Sequence, residues 1–338
     1  MAERKRFLRL IARALLICLA VSFLVCLCSC AEREDDEKIK IVCTLFPQYD
    51  WLRNIIGEND SVELVLLVKN GTDIHSYQPT AADIMEISDC DMIVYLGEEV
   101  ETWVGEALDR ADNAEIRRIE LTECDGVTLR NISAGSEGHS HEDHGHGADD
   151  GHDHGALDEH VWLSLRNAMA ICRDLCDAVC ELDADGADEY KSNTAEYVEN
   201  LSELDREYEC AVSSVPESER FMLFCDRFPF VYLLEDYGVE YSAAFEGCTT
   251  DVDADFATVL RLIEELDAHG LEYVTVGESA DLSLANTVIS SSKAENGRVI
   301  VMNSMQAISS RQISEGIDYL SVMRENLDAL ELALGVSE

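Results

Sequence analysis

Short apolar runs and longer amphipathic stretches take turns along this chain. Ile39 to Thr44 is a run rich in β-branched residues, followed by Phe46-Pro47-Gln48 and then by Tyr49 to Ile56, whose apolar positions recur at helical spacing. The order is therefore strand, turn, helix. Val62 to Val68 is a second apolar run, closed by Lys69-Asn70-Gly71 and a loop that carries His75. A helical pattern from Thr80 to Ser88, a strand from Met92 to Leu96, a helix from Val100 to Ala111 and a strand from Ile116 to Leu121 follow. Strands alternating with helices predict a parallel sheet covered on both faces. Ligands of such sheets bind at the carboxyl ends of the strands, where the His75 loop falls.

Leu165, Ala168, Cys172, Leu175, Cys176 and Val179 mark one face of a further helix. From Ala187 to Ala211, Tyr190, Tyr197, Leu201, Leu204 and Tyr208 keep helical spacing until Val215-Pro216 stops it. One long helix with a narrow apolar stripe suits a strut between two domains. The alternation then restarts, with strands at Phe221–Cys225, Val239–Phe245, Tyr273–Val276 and Val299–Met302. Helices are predicted near Phe230–Tyr237, Ala254–Ala268, Leu282–Ser292 and Ile317–Leu334.

The start of the chain is built differently. A basic Met-Ala-Glu-Arg-Lys-Arg leads into an apolar run from Ala14 to Leu27, which ends in Leu27-Cys28-Ser29-Cys30. That is the pattern of a lipoprotein export signal, with Cys30 as the lipidated first residue. About fourteen apolar residues are too few to span a bilayer, which takes ~20. The formal charge is −44, and loss of residues 1–29, with five basic groups and one acidic group, takes it to −48. Such acidity argues against nucleic acid and anionic membrane surfaces as partners and for attraction of cations. A mature chain of about 300 residues exceeds what one core usually serves, so two domains are expected. Of the thirteen cysteines, nine remain beyond Cys30 and none forms a Cys-x-x-Cys pair. Cys172, Cys176 and Cys180 recur every fourth residue, as small core residues on one helix face do.

Between Gly138 and Leu165 lie seven of the nine histidines, and eight carboxylates stand between Glu137 and Glu159 without a Lys or Arg among them. Imidazole is the commonest metal ligand, and the acidic field around it attracts any cation. From His139 to His154 the intervening residues are Gly, Ala, Ser, Asp and Glu, which offer nothing to bury. At Leu157 the composition changes to Leu-Asp-Glu-His-Val-Trp-Leu, which can pack. His160 thus falls at the edge of ordered structure, a site residue, while the six histidines before it form a loose collecting tail.

Two motifs carry a resemblance. Gly71-Thr72-Asp73-Ile74-His75-Ser76-Tyr77-Gln78-Pro79-Thr80, with Ile84, Ser88, Asp91, Tyr95, Gly97 and Trp103 after it, resembles the first metal-ligand motif of the zinc and manganese solute-binding proteins of ABC importers. Asp158-Glu159-His160-Val161-Trp162-Leu163 resembles the second. The lipoprotein signal, the His-rich loop and the long middle helix stand in the family's order, so the resemblance spans nearly the whole mature chain. It implies an α/β fold of two Rossmann-like lobes with parallel sheets, joined by a long rigid helix, with one metal held between them. The expected layout is a signal peptide over 1–29, a tether over 30–37 and a first lobe over 38–186 with the His-rich loop at 138–156. A linking helix over 187–215 and a second lobe over 216–338 complete it.

By the same resemblance His75 and His160 are the first-lobe ligands. The second lobe departs from the pattern, with Phe224-Cys225-Asp226-Arg227-Phe228 and Met302-Asn303-Ser304 where relatives place ligands. Cys225 offers a thiolate, which zinc accepts, or is a buried small residue. Glu278 and Asp226 are the nearby carboxylates, as ligands, as helix caps or as partners of Arg227. The metal expected is Zn²⁺ rather than Mn²⁺, since imidazole suits zinc and manganese prefers oxygen. The function so implied is that of a monomeric, lipid-anchored, extracytoplasmic receptor that hands zinc to the permease of an ABC importer. A manganese receptor, and a surface adhesin or metal buffer, share that metal site. An enzyme is the different class. His141-Glu142-Asp143-His144 lacks a residue of the zinc-protease helix motif, and a metallohydrolase would need Glu278 or Asp226 as general base.

Overall fold

The computed structural model describes residues 38–69, 71–72, 74–111, 113, 115–131, 157–245, 247 and 254–336. The expected signal and anchor at Cys30, and the His-rich residues 138–156, lie outside these, whereas His160 and the residues around it are described. The described residues from Ile39 onward form one compact unit. Among them no helix is long and apolar enough to cross a membrane.

The first half builds β1 (Ile39–Cys43), α1 (Phe46–Ile56), β2 (Val62–Leu66), α2 (Ala81–Ser88), β3 (Met92–Tyr95), α3 (Thr102–Leu108) and β4 (Arg117–Glu120). Its strands run in the order β2-β1-β3-β4, all pairs parallel, with Ile41 facing both Leu64 and Met92 in register. The second half repeats this with β5 (Phe221–Phe224), α6 (Val231–Tyr237), β6 (Glu240–Ala243), α7 (Phe256–His269), β7 (Tyr273–Gly277), α8 (Ser283–Ser291) and β8 (Arg298–Met302). Its order is β6-β5-β7-β8, again parallel throughout. Between the halves lie α4 (Leu165–Leu182) and α5 (Ala187–Ser213), and α9 (Ser310–Ser314) and α10 (Tyr319–Leu334) close the chain.

Local chemistry sets these boundaries. Pro47 sits in the first turn of α1, where its missing N–H costs nothing, and Gly57 at φ 67° ends the helix in a conformation that disfavours a Cβ. Thr80 and Asp83 cap α2 reciprocally, and Ser164 caps α4 by accepting from the Asn167 N–H.

Period-two alternation sends neighbouring strand residues to different cores. Ile41 and Cys43 point into one large cluster with Trp51, Trp162, Phe224 and Tyr319, whereas Val42 joins a smaller one with Ile93 and Tyr95. On the second sheet Met222 and Phe224 enter the large cluster, while Leu223, Val274 and Val276 form a third. The large core therefore runs through both halves. The 27 residues of α5 span roughly 40 Å at 1.5 Å per residue and tie into each half. Near its start the Asn193 side chain donates to the Ile55 carbonyl at 3.1 Å, and near its end the Tyr208 hydroxyl donates to the Met323 carbonyl at 2.5 Å. The described cysteines are free thiols, with Cys172 and Cys176 in the large core as their spacing predicts.

One buried acid sits where the first sheet's strand order reverses. Glu101, fully buried, accepts from the Leu96 N–H at 2.6 Å beyond β3 and from the Thr44 hydroxyl at 3.2 Å beyond β1. Loss of water outweighs these two bonds and pushes its carboxyl up to about 7. A folded-state pKa above the unfolded value favours the protonated fold, so this group's stabilisation is complete below about pH 4.5 and is lost as pH rises through 7. The expected outcome is that Glu101→Gln gains stability relative to the parent by about 3 kcal/mol between pH 4 and pH 8. Urea unfolding of the metal-free proteins across that range measures it, and a constant difference would refute it.

Candidate metal centre

His75 lies on a single 3-10 turn, Ile74–Ser76, in the loop beyond β2. The loop is held from three sides. Ile74 is buried, the Tyr77 ring packs on Trp103 at 5.5 Å, and the Lys69 carbonyl accepts from both the Ser310 N–H (2.6 Å) and its hydroxyl (2.9 Å).

His160 arrives on a different kind of turn. Its backbone, at φ −79° and ψ 40°, lets the Val161 N–H reach the Glu159 carbonyl at 2.8 Å, a three-residue turn close to the inverse γ form. Val161–Leu163 then make a buried 3-10 turn that leads into α4. The Asp158 carboxylate accepts from the His160 backbone N–H and lies against Nδ1, both at 2.9 Å, and both side chains are fully buried. A carboxylate paired in this way fixes the tautomer with the proton on Nδ1, so Nε2 presents the lone pair that a metal needs.

These two turns converge. His75 Nε2 stands 3.3 Å from Glu159 Oε1, and the two imidazole rings are 6.0 Å apart with 56° between their planes. One donor atom from each of His75, Glu159 and His160 falls within 4.8 Å of the other two. Tetrahedral coordination at ~2.0–2.1 Å places ligand atoms roughly 3.3 Å apart, so the His75 and Glu159 atoms already have that separation. Two imidazole nitrogens and a carboxylate oxygen are a donor set that divalent zinc accepts with a fourth position left open.

The structure brings His75 and His160 together, and neither Cys225 nor Glu278 is among the donors grouped within 4.8 Å of one another there. Cys225, 2% exposed, packs with Leu223, Ala244 and Leu262 on the far face of β5, and burial pushes its thiol up to about 12, against the thiolate that zinc binds. The Glu278 carboxylate accepts from the Ser304 N–H at 3.0 Å and its hydroxyl at 2.8 Å. Asp226 accepts from the Gly277 N–H at 3.2 Å, so both carboxylates act as backbone caps beside a cavity of about 160 Å³ that Arg227 also lines.

Glu159 joins this group of donors, although of the three the sequence marks only His75 and His160 as ligands. In extended chain, neighbours point to opposite sides, so a carboxylate next to a ligand is not expected to share its metal. The tight turn at His160 removes that alternation. A Glu directly before the His, inside a segment of changing composition, was the available signal.

Residues 41–333 match the family described as ZnuA, zinc-uptake complex component A periplasmic. The zinc-binding lipoprotein AdcA of Streptococcus pneumoniae is 32% identical over 317 residues, 94% of this chain and 60% of that protein. The high-affinity zinc uptake system protein ZnuA of Bacillus subtilis is 27% identical over 298 residues, 88% of each chain. The chain spans less than two thirds of the length of the AdcA proteins it matches. The crystal structure of the Zn(II)-bound ZnuA-like domain of S. pneumoniae AdcA superposes with a TM-score of 0.68 at 28% identity, covering 88% of this chain and 99% of that one. With two parallel sheets, a long helix between them and two histidines meeting at one end, the chain belongs to the ZnuA family of zinc-uptake solute-binding proteins.

Proposed function

We propose that this protein captures zinc outside the cytoplasm and delivers it to the permease of an ABC importer, held at the membrane by a lipid on Cys30. The convergence of His75, Glu159 and His160 carries the reading. Zinc is favoured over manganese because two of the three donors are imidazole nitrogens, and the similar proteins from S. pneumoniae and B. subtilis bear zinc in their names. His75, Glu159 and His160 are the protein ligands, while Cys225 stays a core thiol and Glu278 a cap. The His-rich residues 139–154 raise the local metal concentration. Binding and release, not hydrolysis, is the chemistry, since Asp226 and Glu278, the carboxylates that could serve as a general base, hold backbone amides instead.

Substitution tests the ligand set. His75→Ala and His160→Ala should each abolish tight stoichiometric zinc binding, and Glu159→Gln, which keeps the shape and removes the charge, should weaken it at least ~10-fold. Replacing 139–154 by a short Gly/Ser linker should leave the tight site in place. Calorimetric titration against a competing chelator reads all four, and a linker variant that loses the tight site while His160→Ala keeps it would reverse the assignment.

Sulfur is tested separately. The cobalt-substituted protein should lack the intense thiolate-to-metal band, and Cys225→Ser should bind zinc as the parent does. A band that disappears in Cys225→Ser would return the thiol to the ligand set.

A further inference from the structure

The residues on either side of 132–156 are gripped by one helix of the second half. Asn131 and Leu157 form an antiparallel bridge, and the Asp158 N–H donates to the Arg130 carbonyl at 2.9 Å, so the two chain segments meet as a narrow neck. The hydroxyl of Tyr232, on α6 and fully buried, joins both segments at once. It accepts from the Arg130 N–H at 3.1 Å and donates to the Asp158 carbonyl at 2.7 Å. One turn further along α6, Glu235 and Asp236 take the Arg130 guanidinium, which also lies 6.0 Å from the Tyr232 ring. Asp236 accepts the Ser164 hydroxyl as well, beyond the other end of the metal-binding turn.

Asp158 thus has two duties. Its carbonyl is fixed by Tyr232, and its carboxylate orients His160 through the backbone N–H and Nδ1. Only Leu157, Asp158 and Glu159 separate the last residue of the 132–156 segment from His160. From 135 to 156 that segment reads GSEGHSHEDHGHGADDGHDHGA, a composition of Gly, Ala, Ser, His, Asp and Glu that offers nothing to bury.

We infer that Tyr232 is a positioning residue for the metal centre, its hydroxyl stapling the neck at Arg130 and Asp158 so that the 132–156 insertion does not disturb the orientation of His160. The inference rests on the metal-centre reading above. Removing a partner that orients a ligand typically costs 10–100-fold in metal affinity. A residue with only a general structural role would cost the same stability whether or not the insertion is present, and would not couple to it.

The test is a double-mutant comparison in the full chain. Tyr232→Phe keeps the ring and removes both hydroxyl bonds. It is made in the parent and in a variant whose residues 132–156 are replaced by Asn-Gly, a turn that closes an antiparallel pair. The expected result is a loss of roughly 10–100-fold in zinc affinity in the parent and under about 3-fold in the short-turn variant. An equal loss in both backgrounds, or an unchanged affinity in the folded parent, overturns the inference. If Tyr232→Phe does not fold, Asp236→Asn loosens Arg130 and Ser164 from the same helix and carries the same comparison. His160→Ala, run alongside, separates the two readings: retained zinc binding there refutes the metal centre itself, whereas lost binding there with no effect of Tyr232→Phe refutes only the staple.

Discussion

The buried hydrogen bond between Asp158 and His160 is the constraint that the site depends on. Burying a carboxylate and an imidazole together is costly unless each satisfies the other, and here one carboxylate oxygen serves both the backbone N–H and Nδ1 of the same residue. The bond works only while the surrounding turn is rigid. Trp162 supplies much of that rigidity, because its indole N–H donates to the Ser304 carbonyl at 2.8 Å while its own carbonyl accepts the Tyr319 hydroxyl at 2.6 Å. Ser304 is held by Glu278, and the Tyr319 N–H by Asp50. The turn that carries a ligand of the first half is therefore anchored to the second half at Ser304 and Tyr319.

Much of the fold could be read from periodicity. The alternation of apolar runs with helical stripes gave all eight strands and the parallel pairing, because in a sheet covered on both faces each strand must be apolar along its length. The long helix was equally legible from Tyr190, Tyr197, Leu201, Leu204 and Tyr208. Element ends were less so. The helix expected over Val100–Ala111 forms only over Thr102–Leu108, since Glu101 turns inward to its two hydrogen bonds instead of joining the helix.

The site was legible in part, for a physical reason. His75 and His160 stand in segments whose composition marks them out. Glu159 depends on one backbone angle pair that no residue pattern announces. Cys225 and Glu278 were plausible by position, at the carboxyl ends of β5 and β7, but position does not fix which way a side chain turns. The strand's alternation carries Cys225 to the outer core, and the Glu278 carboxylate accepts from the Ser304 N–H and hydroxyl.

The large core that runs through both halves bears on how the molecule folds. Trp51, Trp162, Phe224 and Tyr319 are each almost completely buried and come from both sides of the long helix. Helices cover the inner face of each sheet, α1 on the first and α10 on the second, and they share this core, so an intermediate with only one half folded would leave part of it in water at about 25 cal/mol per Å². Cooperativity follows from that cost. The two similar sheets share one core, so damage to its packing from either side is expected to lower the stability of both.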